Sequence, residues 1–240
     1  MSAAVTRAWK VHPHGQLTQV DDNILTVTGT ILMPAGRLPR RMTVVKLAHG
    51  ELIIFSAMSL ADDQMKVLES FGTPAYMIVP NDHHRLDAQS WKERYPTLRV
   101  IAPSGARPKV EKLLLVDATF GDFGDRSVRF VPVPGTAEKE AALEVHGSEG
   151  MTLILNDLVG NIRGARGFTG WFLKLMGFAG DEPHIPMPIR RAMISSRGAV
   201  SEQLLTWAAV PSLRRILVSH GEPIENDPRG ALLRLAQTLQ

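Results

Sequence analysis

The chain contains no cysteine. That excludes disulfides, thiolate metal sites and a cysteine nucleophile, so any metal has to be held by histidine and carboxylate ligands. No segment approaches the roughly 20 apolar residues of a membrane-spanning helix, and the N-terminal MSAAVTRAWKVHPHGQL lacks a signal-peptide core. The expectation is a soluble, unexported, cytoplasmic protein with no integral membrane association. Neither a G-x-S-x-G elbow nor a G-x-x-x-x-G-K-[ST] loop occurs, which leaves serine-hydrolase and P-loop chemistry without a foothold. One-sided charge is also missing. The net charge is +3, and the cations lie singly or in pairs such as Arg40-Arg41, Arg190-Arg191 and Arg214-Arg215. A nucleic-acid binder gathers such residues on one face among aromatics, so no nucleic acid is expected. The expected partner is a small-molecule substrate or ligand, and a homo-oligomer is left open.

What is present is enough for one sizeable core: 240 residues, 44% of them hydrophobic. The runs ILTVTGTIL, RMTVVKL and ELIIF, rich in β-branched residues and separated by Pro, Gly and Arg, read as successive antiparallel strands. Residues 61–71 then read as a helix stopped by Gly72, followed by strand AYMIV, a short helix over 87–95 ended by Pro96, and strand LRVIAP. SVRFVPV, AALEVHG and MTLIL are further strands, 200–210 a helix, RRILVS a last strand. Asp227 with Pro228 caps a C-terminal helix. Residues 1–22 read as an N-terminal extension and 23–240 as a single α/β domain, a pair of packed mixed sheets with helices outside. The stretch from Gly164 to Gly180 crowds Phe168, Trp171, Phe172, Leu173, Leu175, Met176 and Phe178 between glycines. It reads as core, or as a lid, a subunit interface or a shallow membrane contact.

Three polar clusters follow strand-like runs: Asn81-Asp82-His83-His84-Arg85-Leu86-Asp87, Asn156-Asp157 and Ser219-His220-Gly221. Open α/β folds place their sites at such strand ends. Adjacent residues of an extended segment point opposite ways, so His83 and His84 do not easily share one ion and at most one is expected to be a ligand. His84 is a candidate ligand or a loop histidine bonding backbone. Asp157, emerging where MTLIL ends, needs a cation or several donors if buried, and is otherwise a turn residue. His12, His14, His49, His146 and His184 read as structural, the first two in a frayed surface loop.

The order of these elements, with the phrases IVPNDHH, Trp91, Tyr95-Pro96, TLILNDLVGN and VSHGEP, resembles the metallo-β-lactamase superfamily and, within it, the DUF4336 subfamily. The resemblance implies an αββα sandwich with a metal site at one edge of the sheets. The superfamily signature H-x-H-x-D-H falls on Asp82, His84, Leu86 and Asp87. A later ligand histidine falls on Thr136, the bridging aspartate on Asp157 and the last histidine on His220. The metal set so implied is His84, Asp157 and His220 with Asp82 and Asp87 as substitutes, and Asp87 and Asp157 are the candidate catalytic acids. The signature is degenerate, because Leu86 and Thr136 replace ligands. At most one divalent ion is therefore expected, Zn, Mn or Fe, an oxygen-rich donor set favouring Mn or Fe(II). The implied function is a metal-dependent hydrolase of an ester, amide or phosphoester bond. The alternative is a metal-free member of the fold that binds a small molecule or a protein.

Overall fold

A computed structural model of the chain describes residues 9–33, 36–164, 167–175, 177 and 179–240. Strands β1 (Thr18–Asp21), β2 (Ile24–Met33), β3 (Gly36–Lys46), β4 (Glu51–Phe55), β5 (Thr73–Ile78) and β6 (Arg99–Ile101) form one sheet in that order. Neighbours are antiparallel from β1 to β4 and parallel from β4 to β6. Helices α1 (Asp62–Phe71) and α2 (Ala88–Arg94) make the parallel crossovers, and a short α3 (Arg107–Val110) follows. The second sheet has the order β10-β9-β8-β7, from β7 (Val128–Pro132), β8 (Ala141–Gly147), β9 (Gly150–Asn161) and β10 (Leu213–Gly221). The β9–β10 pair is parallel, and helices α4 (Gly167–Leu175), α5 (Met187–Ala192) and α6 (Arg197–Ala208) lie between those strands in the chain. Helix α7 (Pro228–Gln237) ends the molecule, with Asp227 accepting a hydrogen bond from the Gly230 N–H as the sequence led us to expect.

Strand alternation explains why these runs are continuously apolar. Ile53, Ile154 and Leu217 face the space between the sheets, whereas Leu52, Ile54, Leu153, Leu155, Ile216 and Val218 face the outer layers. Both faces of both sheets are covered, so successive positions along such a strand are apolar unless a polar side chain finds a buried partner. Trp91 of α2 and Trp207 of α6 are fully buried in the two outer layers. The result is the four-layer αββα sandwich expected from the sequence.

Two buried arginines join the sheets. Arg41 on β3 donates to the carbonyls of Val218 (3.2 Å) and Gly221 (2.9 Å) at the end of β10. Arg215 on β10 donates to Val20 O (2.6 Å) and pairs with Asp21 (3.2 Å) on β1. The segment read as an N-terminal extension thus enters the sheet through β1. Its earlier part is fastened too: Trp9 Nε1 donates to Leu60 O, and His14 Nε2 accepts from the Ala61 N–H (2.9 Å), which corrects the reading of His14 as part of a frayed loop. Residues 1–8 lie outside the described residues.

The hairpin of β2 and β3 is longer than expected, with β3 beginning at Gly36 and running through Pro39. Proline is tolerated there because β4 pairs only with residues 43–46 of β3, so the earlier part has no paired strand on that side among the described residues. In the aromatic-rich stretch, α4 leaves Trp171 and Leu175 more than half exposed, so these two are not core; Phe168, Phe172, Met176 and Phe178 lie outside what is described of side chains.

Leu217 is fully buried between the sheets. Leu217→Ala is expected to cost about 2–5 kcal/mol in urea unfolding with an unchanged m-value.

Candidate metal centre

Strand β9 does not stop after MTLIL but continues through Asn156 and Asp157 to Asn161. In its parallel pairing with β10, Leu155 is opposite Val218 and Gly160 opposite His220, so residues 156–159 face Ser219 alone. The bulge re-aims Asp157 out of the strand's ordinary alternation, which is what such irregularities do beside functional sites. His220 arrives from the end of β10. The next residue, Gly221, has φ +113°, and a Cβ there would stand 2.1 Å from Asn161 O, so only glycine permits this close approach. His84 comes from the loop after β5, whose Asn81 Oδ1 accepts from the N–H groups of His83 (2.9 Å) and His84 (3.0 Å). The two imidazoles diverge: the His84 side chain is 9% exposed and that of His83 63%.

Three side chains from these distant segments meet. His84 Nε2 lies 3.0 Å from Asp157 Oδ1 and 3.0 Å from His220 Nε2, and His220 Nε2 lies 3.0 Å from Asp157 Oδ1. Each member is oriented from behind. His220 Nδ1 donates to Pro39 O (2.7 Å), His84 Nδ1 lies 2.6 Å from Ser56 Oγ, and Asn81 Nδ2 donates to Asp157 Oδ2 (2.6 Å). Ser56, at the end of β4, holds that position with φ +58°, a conformation that costs energy in a residue with a side chain. Behind Asp157, Glu140 accepts from Asn81 Nδ2 (3.0 Å) and from the Leu158 N–H (3.1 Å).

Burial pushes the His84 imidazole below its ordinary pKa despite the Asp157 charge beside it. At His220 burial acts in the same direction, but the hydrogen bond to Asp157 and its charge outweigh it and raise the pKa. Burial alone would raise Asp157; the two imidazoles hold it well below the usual carboxylate range instead. Glu140 goes the opposite way, raised well above its ordinary value by burial and by the Asp157 charge.

The donor atoms suit a divalent ion. Two donors bound at about 2.0–2.1 Å and at a tetrahedral angle are about 3.3 Å apart, close to the edges of this triangle. The outer imidazole nitrogens bond to a carbonyl and a hydroxyl, as the histidines of metal sites do. Two imidazoles with one carboxylate is a nitrogen-rich set, suited to Zn or Fe(II), rather than the oxygen-rich set expected from the sequence.

Asp82 and Asp87 are not part of the triangle. Asp82 pairs with Lys109 (2.6 Å) and His83 (2.9 Å). Asp87 pairs with Arg40 (2.5 Å) and accepts from Ser59 Oγ (3.1 Å). Among the described residues, His84, Asp157 and His220 are the one group of three whose donor atoms lie within 4.8 Å of one another. Thr136 is buried, its hydroxyl donating to Val133 O (2.7 Å). Asn81, Ser56, Glu140 and Arg40 went unassigned in the sequence. Only Asn81 carried a signal, being within a cluster already singled out.

The triangle is at the base of a cavity of about 510 Å³. Ile31 and Leu38 of the β2–β3 hairpin form one wall, Ile189 and Met193 from α5 and its end another.

No family model matches the chain, and no curated protein matches it. Solved structures do. The metallo-β-lactamase FIM-1 from Pseudomonas aeruginosa, in its mono-zinc form, superposes with a TM-score of 0.63 at 12% identity, covering 96% of this chain and 98% of that one. A metallo-β-lactamase from Hirschia baltica gives 0.61 at 12% identity over 93% and 98% of the two chains. One from Erythrobacter litoralis gives 0.61 at 14% over 92% and 96%. The protein therefore has the metallo-β-lactamase fold, which at these identities speaks for architecture alone.

Asn81→Ala removes the donor to Asp157 Oδ2 and the acceptor that fixes the His84 backbone. Zinc affinity is expected to fall about 10–100-fold, measured by competition with a chromophoric chelator.

Proposed function

We propose that the protein is a metal-dependent hydrolase with a mononuclear site held by His84, Asp157 and His220, acting on an ester, amide or phosphoester bond of a small molecule. The observation that carries this reading is the equilateral triangle of Nε2, Nε2 and Oδ1 atoms, each 3.0 Å from the others, at the base of an open cavity. Two imidazole nitrogens and a carboxylate oxygen so close need positive charge among them, a metal ion or a ring proton, to offset the repulsion of their lone pairs. When bound, a divalent ion supplies Lewis acidity, polarising a carbonyl or phosphoryl oxygen and making water acidic enough to act as a nucleophile near neutral pH.

The chain's own residues do the rest. Pro39 O and Ser56 Oγ fix the ring orientations, so both Nε2 atoms are presented to the same point. Asn81 holds one oxygen of Asp157, leaving the other directed at the imidazoles. Asp87 is engaged at one oxygen by Arg40 and at the other by Ser59. Leu86 and Thr136 supply no ligand, which limits the centre to one ion and agrees with the degenerate signature of a DUF4336-type member. A cytoplasmic setting belongs to the same proposal.

One observation favours the metal-free reading. The 3.0 Å between His220 Nε2 and Asp157 Oδ1 is also a hydrogen-bond distance, so a proton on Nε2 closes the same triangle by donating to Asp157, in line with the upward shift of His220. Metal analysis of natively purified, untagged protein separates the two. About one equivalent of a first-row metal is expected in the wild type, lost in His84→Ala and in His220→Ala while the circular dichroism spectrum is retained. Absence of bound metal, together with no hydrolysis of p-nitrophenyl esters or phosphoesters gained on adding Zn, Mn or Fe(II), would contradict the hydrolase reading.

A further inference from the structure

The cavity contains a buried cation that the proposed hydrolytic centre does not use. Arg40, 6% exposed, lines it beside His84, Asp157 and His220. Its Nη1 bonds to Asp87, but Nε and Nη2, both buried, have no hydrogen-bond partner among the described residues. A guanidinium offers five N–H donors in a planar fork suited to an oxyanion, and buried donors of this kind are rarely left unmatched. Asp87 does not supply the missing acceptor: its oxygens take Arg40 Nη1 and Ser59 Oγ and make no bond to Nε or Nη2. The acids that line the cavity are already engaged: Asp82 by Lys109 and His83, and Asp157 by the two imidazoles and Asn81. A further cation, Lys139, lines the same space. The remaining wall is apolar, formed by Ile31, Leu38, Leu86, Ile189 and Met193.

We propose that Arg40 is the anion-recognition residue of this cavity and that the molecule taken there is an amphipathic organic anion, a carboxylate or phosphate head on an apolar body. The proposal deepens the hydrolase reading by naming the substrate class of the same site. The head is received by the Arg40 fork next to the imidazoles, with Lys139 adding long-range attraction, and the body lies along the hairpin and α5 walls. Arginine suits this task better than lysine because the fork fixes direction as well as charge.

Calorimetric titration with octanoate, octyl phosphate and neutral octanamide tests it on zinc-loaded and on chelator-stripped protein. In both forms at least one anion is expected to bind about tenfold or more tighter than octanamide. Arg40→Met should abolish that preference while octanamide affinity stays within about twofold, and Arg40→Lys should retain part of it. Because Arg40→Met leaves Asp87 buried without its partner, Arg40→Met/Asp87→Asn is the companion variant, with the same expected loss. A preference for octanoate identifies a carboxylate head and one for octyl phosphate a phosphate head; either supports the proposal. Equal binding of all three probes, no binding of any, or a uniform loss of all three in the folded double variant would overturn it. A preference seen only in the zinc-loaded form and indifferent to Arg40 also overturns it and leaves the hydrolase reading standing. A preference that depends on Arg40 in protein that binds no zinc does the reverse.

Discussion

A carboxylate buried among packed strands has to be matched by positive charge or hydrogen-bond donors, and Asp157 imposes that requirement on everything around it. One of its oxygens is taken by the Asn81 amide, the other by two imidazoles from separate parts of the chain. Burial and the same negative charge push the Glu140 carboxyl upward, and the hydrogen bond and charge of Asp157 raise His220. Burial prevails at His84, whose pKa falls despite the neighbouring charge. The proposed metal affinity is the consequence of this assembly: donors held close together by the fold and short of a cation.

The fold supplies the assembly through two sheet irregularities. The bulge in β9 turns Asp157 toward β10, and Gly221 lets β10 approach β9 closely enough to bring His220 beside it. Arg41 anchors the end of β10 to β3 from the other sheet, so the position of His220 depends on packing between the sheets as well as on its own strand. His84 completes the group from the first sheet. The centre therefore exists only where both sheets meet, and neither sheet alone contains it.

Much of this was legible in the residues. The strands are continuous apolar runs because both faces are covered, and Ser219-His220-Gly221 and His84 were conspicuous because imidazoles seldom follow such runs. The extension of β9 past Leu155 was not legible. Asn156 and Asp157 are poor strand formers, and it is the pairing of Leu155 and Gly160 with β10 on either side of them that carries the strand through. Asp82 and Asp87 looked like ligands by position, yet Lys109 and Arg40 reach them first; no spacing in the sequence announces a cation that lies 27 or 47 residues away. The pair Arg40-Arg41 looked like scattered surface charge. Strand alternation sends the two arginines to different partners, one to Asp87 beside the cavity and the other to the carbonyls of β10, and both are buried.

The likeness to metallo-β-lactamases of known structure fixes the architecture, while the identities of 12–14% leave the chemistry to the side chains. Those side chains gather two nitrogens and one oxygen around a single point. Zinc K-edge absorption on the protein loaded with one equivalent reads that arrangement directly. The account predicts two imidazole nitrogens and one carboxylate oxygen at about 2.0–2.1 Å from the metal. A spectrum with no imidazole contribution, or one unchanged in His220→Ala, would contradict it.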